Sequence, residues 1–406
     1  MAGVQMARAD SLIVAVLLTA LVALGPISTD LYLPSLPSIG RDFGVGAAEV
    51  QLTLSVFLAG FACSQLIYGP LSDRFGRRPV ILIGLAVYLL ATLLCMVAPS
   101  IEVLILARFL QALGACVGPV LGRAVVRDVY GRERAAQVLS YMGMAMALAP
   151  AVGPIIGGYL EVWFGWQANF AVLAVFALVM LVAIQVTLPE TNRWMDPAAT
   201  RPGRLVATYL ELLRHRSYRG YVMIVSFSYA GIFSFISGSA FVLIGILGLS
   251  PDRYGFCFAA IVVGFMIGTF LSGRLTRRLG LERMIQLGSA VQCLGGLLGL
   301  AFYGAGLVTV VTIVGPMVVF MIGTGLVMPN AQAGAIGPFP KTAGSASALL
   351  GFVQMGLAAL VGIAVGHGSE TSALPMMAAI ALVALGAALS YWLIVRPSAA
   401  VSAEAD

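Results

Sequence analysis

Two ionisable residues stand in this sequence where charge is expensive. Asp30 lies in Ser28-Thr29-Asp30-Leu31-Tyr32-Leu33-Pro34, near the end of the first long apolar run, and Arg108 lies early in the fourth. An ionised side chain embedded in hydrocarbon costs at least about 2.5–3.5 kcal/mol, so both need a reason to be there. A carboxyl group so placed can carry a proton: burial disfavours its ionised form, a nearby cation favours it, and a modest movement can change the balance. If the first run exits near Ser38, Asp30 lies about 12 Å below the outer boundary at 1.5 Å per residue, and Arg108, counted inward from Glu102, lies about 9 Å below it. The matched depths make them a candidate pair for proton coupling. The plainer alternatives are a hydrated Asp30 at the mouth of its run and an Arg108 that snorkels to the surface. Glu49 and Glu102 fall at outer run ends, where water reaches them.

Other chemistries find little support. The two histidines, His215 and His367, are far apart and lie in connecting segments. Cys63, Cys95, Cys116, Cys257 and Cys293 all fall in apolar runs, odd in number and without a CxxC, which supports neither a disulfide framework nor a metal site. A membrane enzyme would need a clustered Ser/His/Asp set, metal ligands or a carboxylate pair, and none is visible. The expectation is a protein that is not an enzyme and needs no metal or cofactor.

The elements that must hold these residues follow from composition. Of 406 residues 60% are hydrophobic and 10% charged, against roughly 45–50% and about 25% in soluble chains. Apolar runs fall at about 11–37, 47–67, 79–98, 101–124, 136–159, 167–188, 220–245, 254–273, 284–304, 307–329, 344–366 and 373–395. Runs of this length predict twelve membrane-spanning helices, since barrel strands would alternate over about ten residues. The N-terminal run could pass for a signal peptide, but its removal would leave an odd number of spans and upset the charge pattern.

The net charge of +6 is a topology signal rather than a sign of nucleic acid. With the N-terminus inside, 19 of the 23 basic residues fall in inner segments: Arg8, Arg74, Arg77, Arg78, Arg127, Arg132 and Arg134 in the first half, Arg193, Arg201, Arg204, Arg214, Arg216 and Arg219 in the central loop, and Arg274, Arg277, Arg278, Arg283, Lys341 and Arg396 in the second half. Arg41 and Arg253 remain outside, and Arg108 and Arg123 lie within span four. This bias puts both termini in the cytoplasm. Trp163 and Trp166 at outer ends and Trp194 just inside span six suit the interface. In the central loop Leu205, Tyr209, Leu212 and Leu213 recur at helical spacing among arginines, which predicts a short helix lying on the surface.

An internal repeat divides the chain. Gly69, Leu71, Ser72, Arg74 and Gly76 match Gly273, Leu275, Thr276, Arg278 and Gly280 at an offset of 204 residues. Two six-helix halves in the same orientation explain it, over 1–188 and 220–406, with 189–219 as a central cytoplasmic loop. Gly69 and Gly76 would allow close helix approach and a tight turn, and Asp73 could pair with an arginine or a helix N-terminus as an inner latch. In the second half Arg277 stands where Asp73 stands in the first, so the acidic member is missing there. In span five, Pro150 and Pro154 should bend the helix, while Gly153, Gly157 and Gly158 let neighbouring backbones touch.

The string Gly69-Pro70-Leu71-Ser72-Asp73-Arg74-Phe75-Gly76-Arg77-Arg78-Pro79 resembles the signature loop of the major facilitator superfamily, over essentially the whole chain. GPxxGG at Gly153–Gly158 resembles the antiporter motif of its drug and proton exchangers, TDLYLPSLP from Thr29 resembles the first-span signature of the Bcr/CflA drug-resistance subgroup, and RxxQxxG from Arg108 to Gly114 resembles the span-four motif linked to proton coupling. The resemblance implies an all-α membrane protein with the major facilitator fold. It implies a monomeric exchanger in the bacterial inner membrane, driven by the proton gradient, that exports small, largely apolar compounds such as amphenicols, bicyclomycin or sulfonamides. Its partners would be drug, proton and lipid, with no nucleic acid. Inner-gate residues would be Gly69, Asp73, Arg74, Gly76, Arg77 and Arg78, with further contacts from Arg123, Arg127 and Asp128. Tyr32, Gln111, Tyr229 and Phe233 could line the cavity, and Met142, Met144 and Met146 could give adaptable apolar contacts. Export of an endogenous metabolite and proton-coupled import remain rival readings on the same scaffold.

Overall fold

The computed structural model describes residues 11–396 except 131, 193, 198, 340, 341, 369 and 370. Arg8, Arg193, Lys341 and the tail beyond Arg396 lie outside the described residues, as do the side chains of Arg132 and Arg204. Twelve helices are long and apolar enough to cross a membrane: Leu12–Phe43, Ala47–Phe75, Arg77–Met96, Ile101–Val129, Gln137–Phe164, Gln167–Thr187, Arg216–Ile246, Pro251–Leu279, Leu281–Gly304, Val310–Ile336, Ala343–Gly366 and Leu374–Val395, here spans one to twelve. Each overlaps the apolar run that predicts it. Helices satisfy every backbone group internally, which hydrocarbon cannot do for them.

Two spans are interrupted where proline dictates. Span one is helical over Leu12–Asp30, turns through Leu31 and Tyr32, makes a 3-10 turn at Leu33–Ser35 and resumes over Leu36–Phe43. Pro34 has no N–H to offer the Asp30 carbonyl, so the ladder parts at Asp30. Span four breaks at Cys116, between Ile101–Ala115 and Val117–Val129; there Pro119 cannot donate to the Ala115 carbonyl. Span five is different. Its helix Arg132–Phe164 runs through Pro150 and Pro154 without interruption.

The signature string is mostly helix rather than loop. Span two continues through Pro70 to Phe75, and Gly76 alone makes the turn into span three, at φ +96°. Gly280 makes the matching turn at φ +79°, so the repeat visible in sequence recurs in the backbone. Gly69 is not a close-approach position: an added Cβ would meet nothing within 4 Å.

The buried side chains gather in three cores. One core joins Leu18, Leu21, Phe57, Ile81, Val117 and Leu121 from the first four spans. Another joins Tyr218, Val225, Ile285, Val327 and Leu350 from spans seven, nine, ten and eleven. A third draws on both sets, through Val50, Ile101, Phe241, Tyr254, Val365 and Met376. These last residues lie near the span ends opposite the arginine clusters, so the shared core belongs to that far face.

The central segment contains the expected short helix, Pro202–Arg214. It is docked rather than simply laid on the surface: Leu212 is buried with Tyr218, Leu349 and Leu350, and Tyr209 packs against the same core. The stretch before it is tied elsewhere. Asn192 Nδ2 donates to the Ser72 and Asp73 carbonyls at 3.1 and 3.2 Å, Asp196 N donates to the Asp73 carbonyl at 3.0 Å, and Arg74 Nη1 donates to Thr200 Oγ1 at 2.7 Å.

Candidate functional site

Among the described residues, the buried class contains just two charged side chains, Asp30 and Arg108. Asp30 stands at the break in span one. Thr29 Oγ1 lies 3.2 Å from its Oδ1 and 2.9 Å from the Pro26 carbonyl, and its one proton serves either acceptor. No ion pair among the described residues reaches Asp30.

Span five closes over this break through the glycines of its GPxxGG string. A Cβ added at Gly153 would stand 3.1 Å from Asp30 Cβ, and one added at Gly157 would stand 1.7 Å from the Leu31 carbonyl oxygen. No side chain larger than hydrogen fits there without movement of the backbone that carries Asp30. Gly158 turns the other way, toward span eight, where an added Cβ would lie 2.3 Å from the Pro251 carbonyl oxygen. One helix thus touches both the buried carboxyl segment and the second set of spans.

Arg108 is held in a cage. Its Nη1 donates to the Ser28 carbonyl at 3.0 Å and to Gln111 Oε1 at 2.5 Å. Its guanidinium carbon lies 4.7, 4.4 and 5.9 Å from the ring centres of Tyr32, Phe57 and Phe170. Desolvated cation–π contacts of this kind are worth about 2 kcal/mol or more. Gln111 Nε2 donates to Thr92 Oγ1 at 2.8 Å, Ser28 Oγ and the Tyr88 hydroxyl lie 2.6 Å apart, and the Tyr32 hydroxyl pairs with Thr53 Oγ1. Arg108 Nε and Nη2 are buried and have no hydrogen-bond partner among the described residues. Arg108 neither snorkels nor pairs with Asp30; it binds span one two residues earlier, at Ser28.

In this conformation most of the expected drug contacts are buried. Tyr32 and Gln111 are fully buried and committed to the Arg108 cage. Phe233 is enclosed in the shared core, and Met142 is packed against Gly122 of span four, with its Cε 3.1 Å from an added Cβ. Burial leaves these four no surface for a ligand in this conformation. Tyr229 is half-buried, while Met144 and Met146 are exposed.

The arginine-rich face carries a separate network. Arg77 bridges Asp73, through Nη1 at 2.6 Å, and Asp128 of span four, through Nε at 3.0 Å, and its Nη1 also donates to Ser72 Oγ at 2.5 Å. Asp73 thus has an arginine partner, within its own motif. Arg127 and Arg123 are exposed, and Arg123 Nε donates to the Pro119 carbonyl at 2.5 Å. Glu190 accepts from the backbone N–H groups of Arg77 at 2.9 Å and Arg78 at 3.1 Å. A carboxylate so placed caps the positive end of span three. In the second half, Thr276 Oγ1 donates to Asn330 Oδ1 at 3.0 Å and Asn330 Nδ2 donates to Ser272 Oγ at 2.8 Å. The second copy of the motif is therefore tied to span ten by neutral groups, where the first is tied to span four by charge.

Sequence reasoning missed Glu190, Asn330 and the polar ring of Ser28, Tyr88 and Thr92. The available signal was the rarity of embedded polar groups, which marks Asn330 and Thr92 as needing partners without saying which. Among the described residues no three His, Cys, Asp or Glu side chains gather as metal ligands.

A bundle of twelve apolar helices with an internal repeat, in which Asp30 and Arg108 are the buried charged side chains among the described residues, is that of a transporter-type membrane protein. The Major Facilitator Superfamily model matches residues 18–363, and the chain belongs to that family. It is 32% identical over 380 residues to a bicyclomycin resistance protein homolog of Haemophilus influenzae, covering 91% of this chain and 92% of the relative. It is 33% identical to multidrug resistance protein D of Escherichia coli, covering 83% and 84% respectively, and 30% identical to a chloramphenicol resistance protein of Pseudomonas aeruginosa, covering 82% and 79%. Its fold resembles that of a D-xylose–proton symporter, with a TM-score of 0.70 at 17% identity over 93% of this chain and 97% of that one. The chain is a multi-pass membrane transporter.

Proposed function

We propose that this protein is a proton-coupled exporter of small, largely apolar antibiotic-like compounds, operating by alternating access in the bacterial inner membrane. The relatives named for bicyclomycin, chloramphenicol and multidrug resistance support the substrate class. The arginine-rich face is the cytoplasmic one and both termini lie there, on the positive-inside bias. Residues 1–188 and 220–406 act as the two rocking units, joined by 189–219, and a monomer suffices.

The observation that carries the coupling is the buried site of Asp30 beneath Gly153 and Gly157, where no ion pair among the described residues reaches it. A carboxyl there is tolerated when neutral, because an isolated buried charge is far costlier than a buried neutral acid. Loss of the proton requires a counter-charge or water. Arg108 has two uncommitted donors and already grips span one at Ser28. A slide of span five over the Asp30–Leu31 segment would bring carboxylate and guanidinium together, releasing the proton toward the cytoplasm as the cavity faces inward. Drug and proton would then occupy the carrier in alternation. With a neutral drug, one positive charge enters per cycle; about 100 mV supplies about 2.3 kcal/mol, roughly a 50-fold drug gradient. One carboxyl is energetically sufficient.

The test is drug-driven proton movement in everted vesicles, comparing the parent with Asp30→Asn. Coupled proton movement should disappear in the variant. If proton-dependent export persists unchanged, Asp30 is not the carrier.

A further inference from the structure

A second polar cluster lies away from Asp30, on the seam between the first six and the last six spans. Gln51, one turn inside the outer end of span two, donates through Nε2 to Ser237 Oγ of span seven at 2.6 Å. Among the described residues this is the one side-chain hydrogen bond that crosses the seam. Both residues are fully buried, and Ser55, one turn further in on span two, is buried beside them.

Span eleven makes the seat for this pair with glycine. A methyl group at Gly362 would stand 3.0 Å from Ser237 Oγ, 3.1 Å from Ser55 Oγ and 3.2 Å from Gln51 Nε2, and one at Gly366 would stand 2.8 Å from Gln51 Cβ. The cluster is nonetheless under-satisfied. Gln51 Oε1 and Ser55 Oγ are buried without a hydrogen-bond partner among the described residues. Leaving two polar atoms dry costs more than one neutral hydrogen bond returns. Water entering the seam would satisfy both unpaired atoms, so they favour opening, against the Gln51–Ser237 hydrogen bond and the apolar packing that hold the seam shut.

The space just outward fits that role. A cavity of about 360 Å³ lies over the seam, lined by Pro37, Arg41, Val45 and Ala47 from the first six spans and by Phe241 and Gly245 of span seven. Ala47 is one helical turn outward of Gln51, and Phe241 is one turn outward of Ser237. The cavity therefore continues the line of the polar pair toward the outer surface. Its volume falls in the range of small-molecule sites, about 300–1,000 Å³.

We propose that Gln51 and Ser237, seated on Gly362 and Gly366, form the latch of the outer gate, and that the cavity above them is the exit vestibule for the exported compound. The inference rests on the export reading for the vestibule and on the fold alone for the latch. Ser55 acts as a built-in destabiliser that keeps the closed gate easy to open.

The experiment reads conformation without transport. Ala358, fully buried and one turn inward of Gly362 on span eleven, is replaced by cysteine as a reporter. Its labelling by a membrane-impermeant maleimide added to intact cells is measured above the background of the chain lacking that substitution. Gln51→Ala breaks the latch and should raise labelling at least threefold. Ser55→Ala removes an unpaired hydroxyl, leaves the latch intact and should lower labelling at least twofold. Gln51→Leu with Ser237→Ala replaces both partners by apolar groups of similar size and should also lower it. Opposite signs for Gln51→Ala and Ser55→Ala support the latch; equal signs, or no change in either, overturn it. Should Gln51→Ala fail to reach the membrane, a rise or no change in the Ser55→Ala variant and the double variant overturns it equally.

The vestibule is tested by Gly245→Trp, at a position where an added Cβ meets nothing within 4 Å. Export should fall at least fivefold while Ala358→Cys labelling in the same background is retained. Undiminished export overturns the vestibule. A chain that labels as expected but exports no drug in its parent form fails the transport reading and leaves the latch standing.

Discussion

Gly157 of span five and Leu31 of span one meet backbone to backbone: a methyl group on the glycine would overlap the leucine carbonyl oxygen, at 1.7 Å. The antiporter-type string and the segment bearing the buried carboxyl are thus one mechanical contact. The two backbones can slide past one another only while position 157 has no side chain.

Gly157→Ala should therefore impair transport out of proportion to its size. Overpacking a tight contact costs about 1–3 kcal/mol, which corresponds to about a 5- to 150-fold effect. Gly143→Ala on the same helix, where an added Cβ meets nothing within 4 Å, should leave export within about twofold of the parent. Equal effects in vesicle export assays would show that the contact has no special role.

The Arg108 cage predicts a difference between two replacements. Arg108→Ala strands the Gln111 and Ser28 acceptors, at about 1–3 kcal/mol for each buried group left unpaired, and should lower the thermal midpoint in detergent. Arg108→Lys keeps the charge but cannot reproduce the planar fork. It should reach the membrane normally and lose at least about tenfold in coupled proton movement, a loss of roughly 1.4 kcal/mol. An unaltered pH profile of export in Arg108→Lys would reduce the residue to a packing element.

Glu190 should matter to stability through span three. It accepts from the N–H groups of Arg77 and Arg78, and loss of such a cap costs about 1 kcal/mol. Glu190→Ala should lower the unfolding midpoint by a few degrees. Glu190→Gln, which keeps an acceptor oxygen, should lose less than half as much; identical midpoints for both variants and the parent would dismiss the cap.

The two copies of the signature string should respond differently to salt. Arg77 is held by Asp73 and Asp128, whereas Thr276 is held by Asn330. Screening weakens exposed ion pairs and leaves neutral hydrogen bonds nearly untouched. Raising salt should speed amide exchange at Arg77, Arg78, Val80 and Ile81 and leave residues 276–280 unchanged. Parallel responses would mean that charge does not hold the first copy.

The sequence makes the spans, the repeat and the two buried charges legible because each is a one-dimensional signal: run length, offset, or an ionisable residue where none is affordable. Direction around a helix is not such a signal. Tyr32 and Gln111 look like cavity residues until Phe57 and Phe170, from spans two and six, are seen to close the Arg108 cage around them. Glu190 looks like any acid in a polar loop, and its role comes from a turn at Gly76 that is 114 residues away. What stays hidden is azimuth and long-range partnership, and those decide which polar residues serve a site and which serve packing.

The central segment ties the first set of spans to the second. It is fastened to the signature string through Thr200 and to the second set of spans through Tyr209 and Leu212, with helix Pro202–Arg214 between the anchors. Twelve residues separate Thr200 from Leu212, and at helical rise they reach only about 18 Å. With so short a reach between its anchors, the connection would be loaded by a tilt of one set of spans against the other at the arginine-rich face.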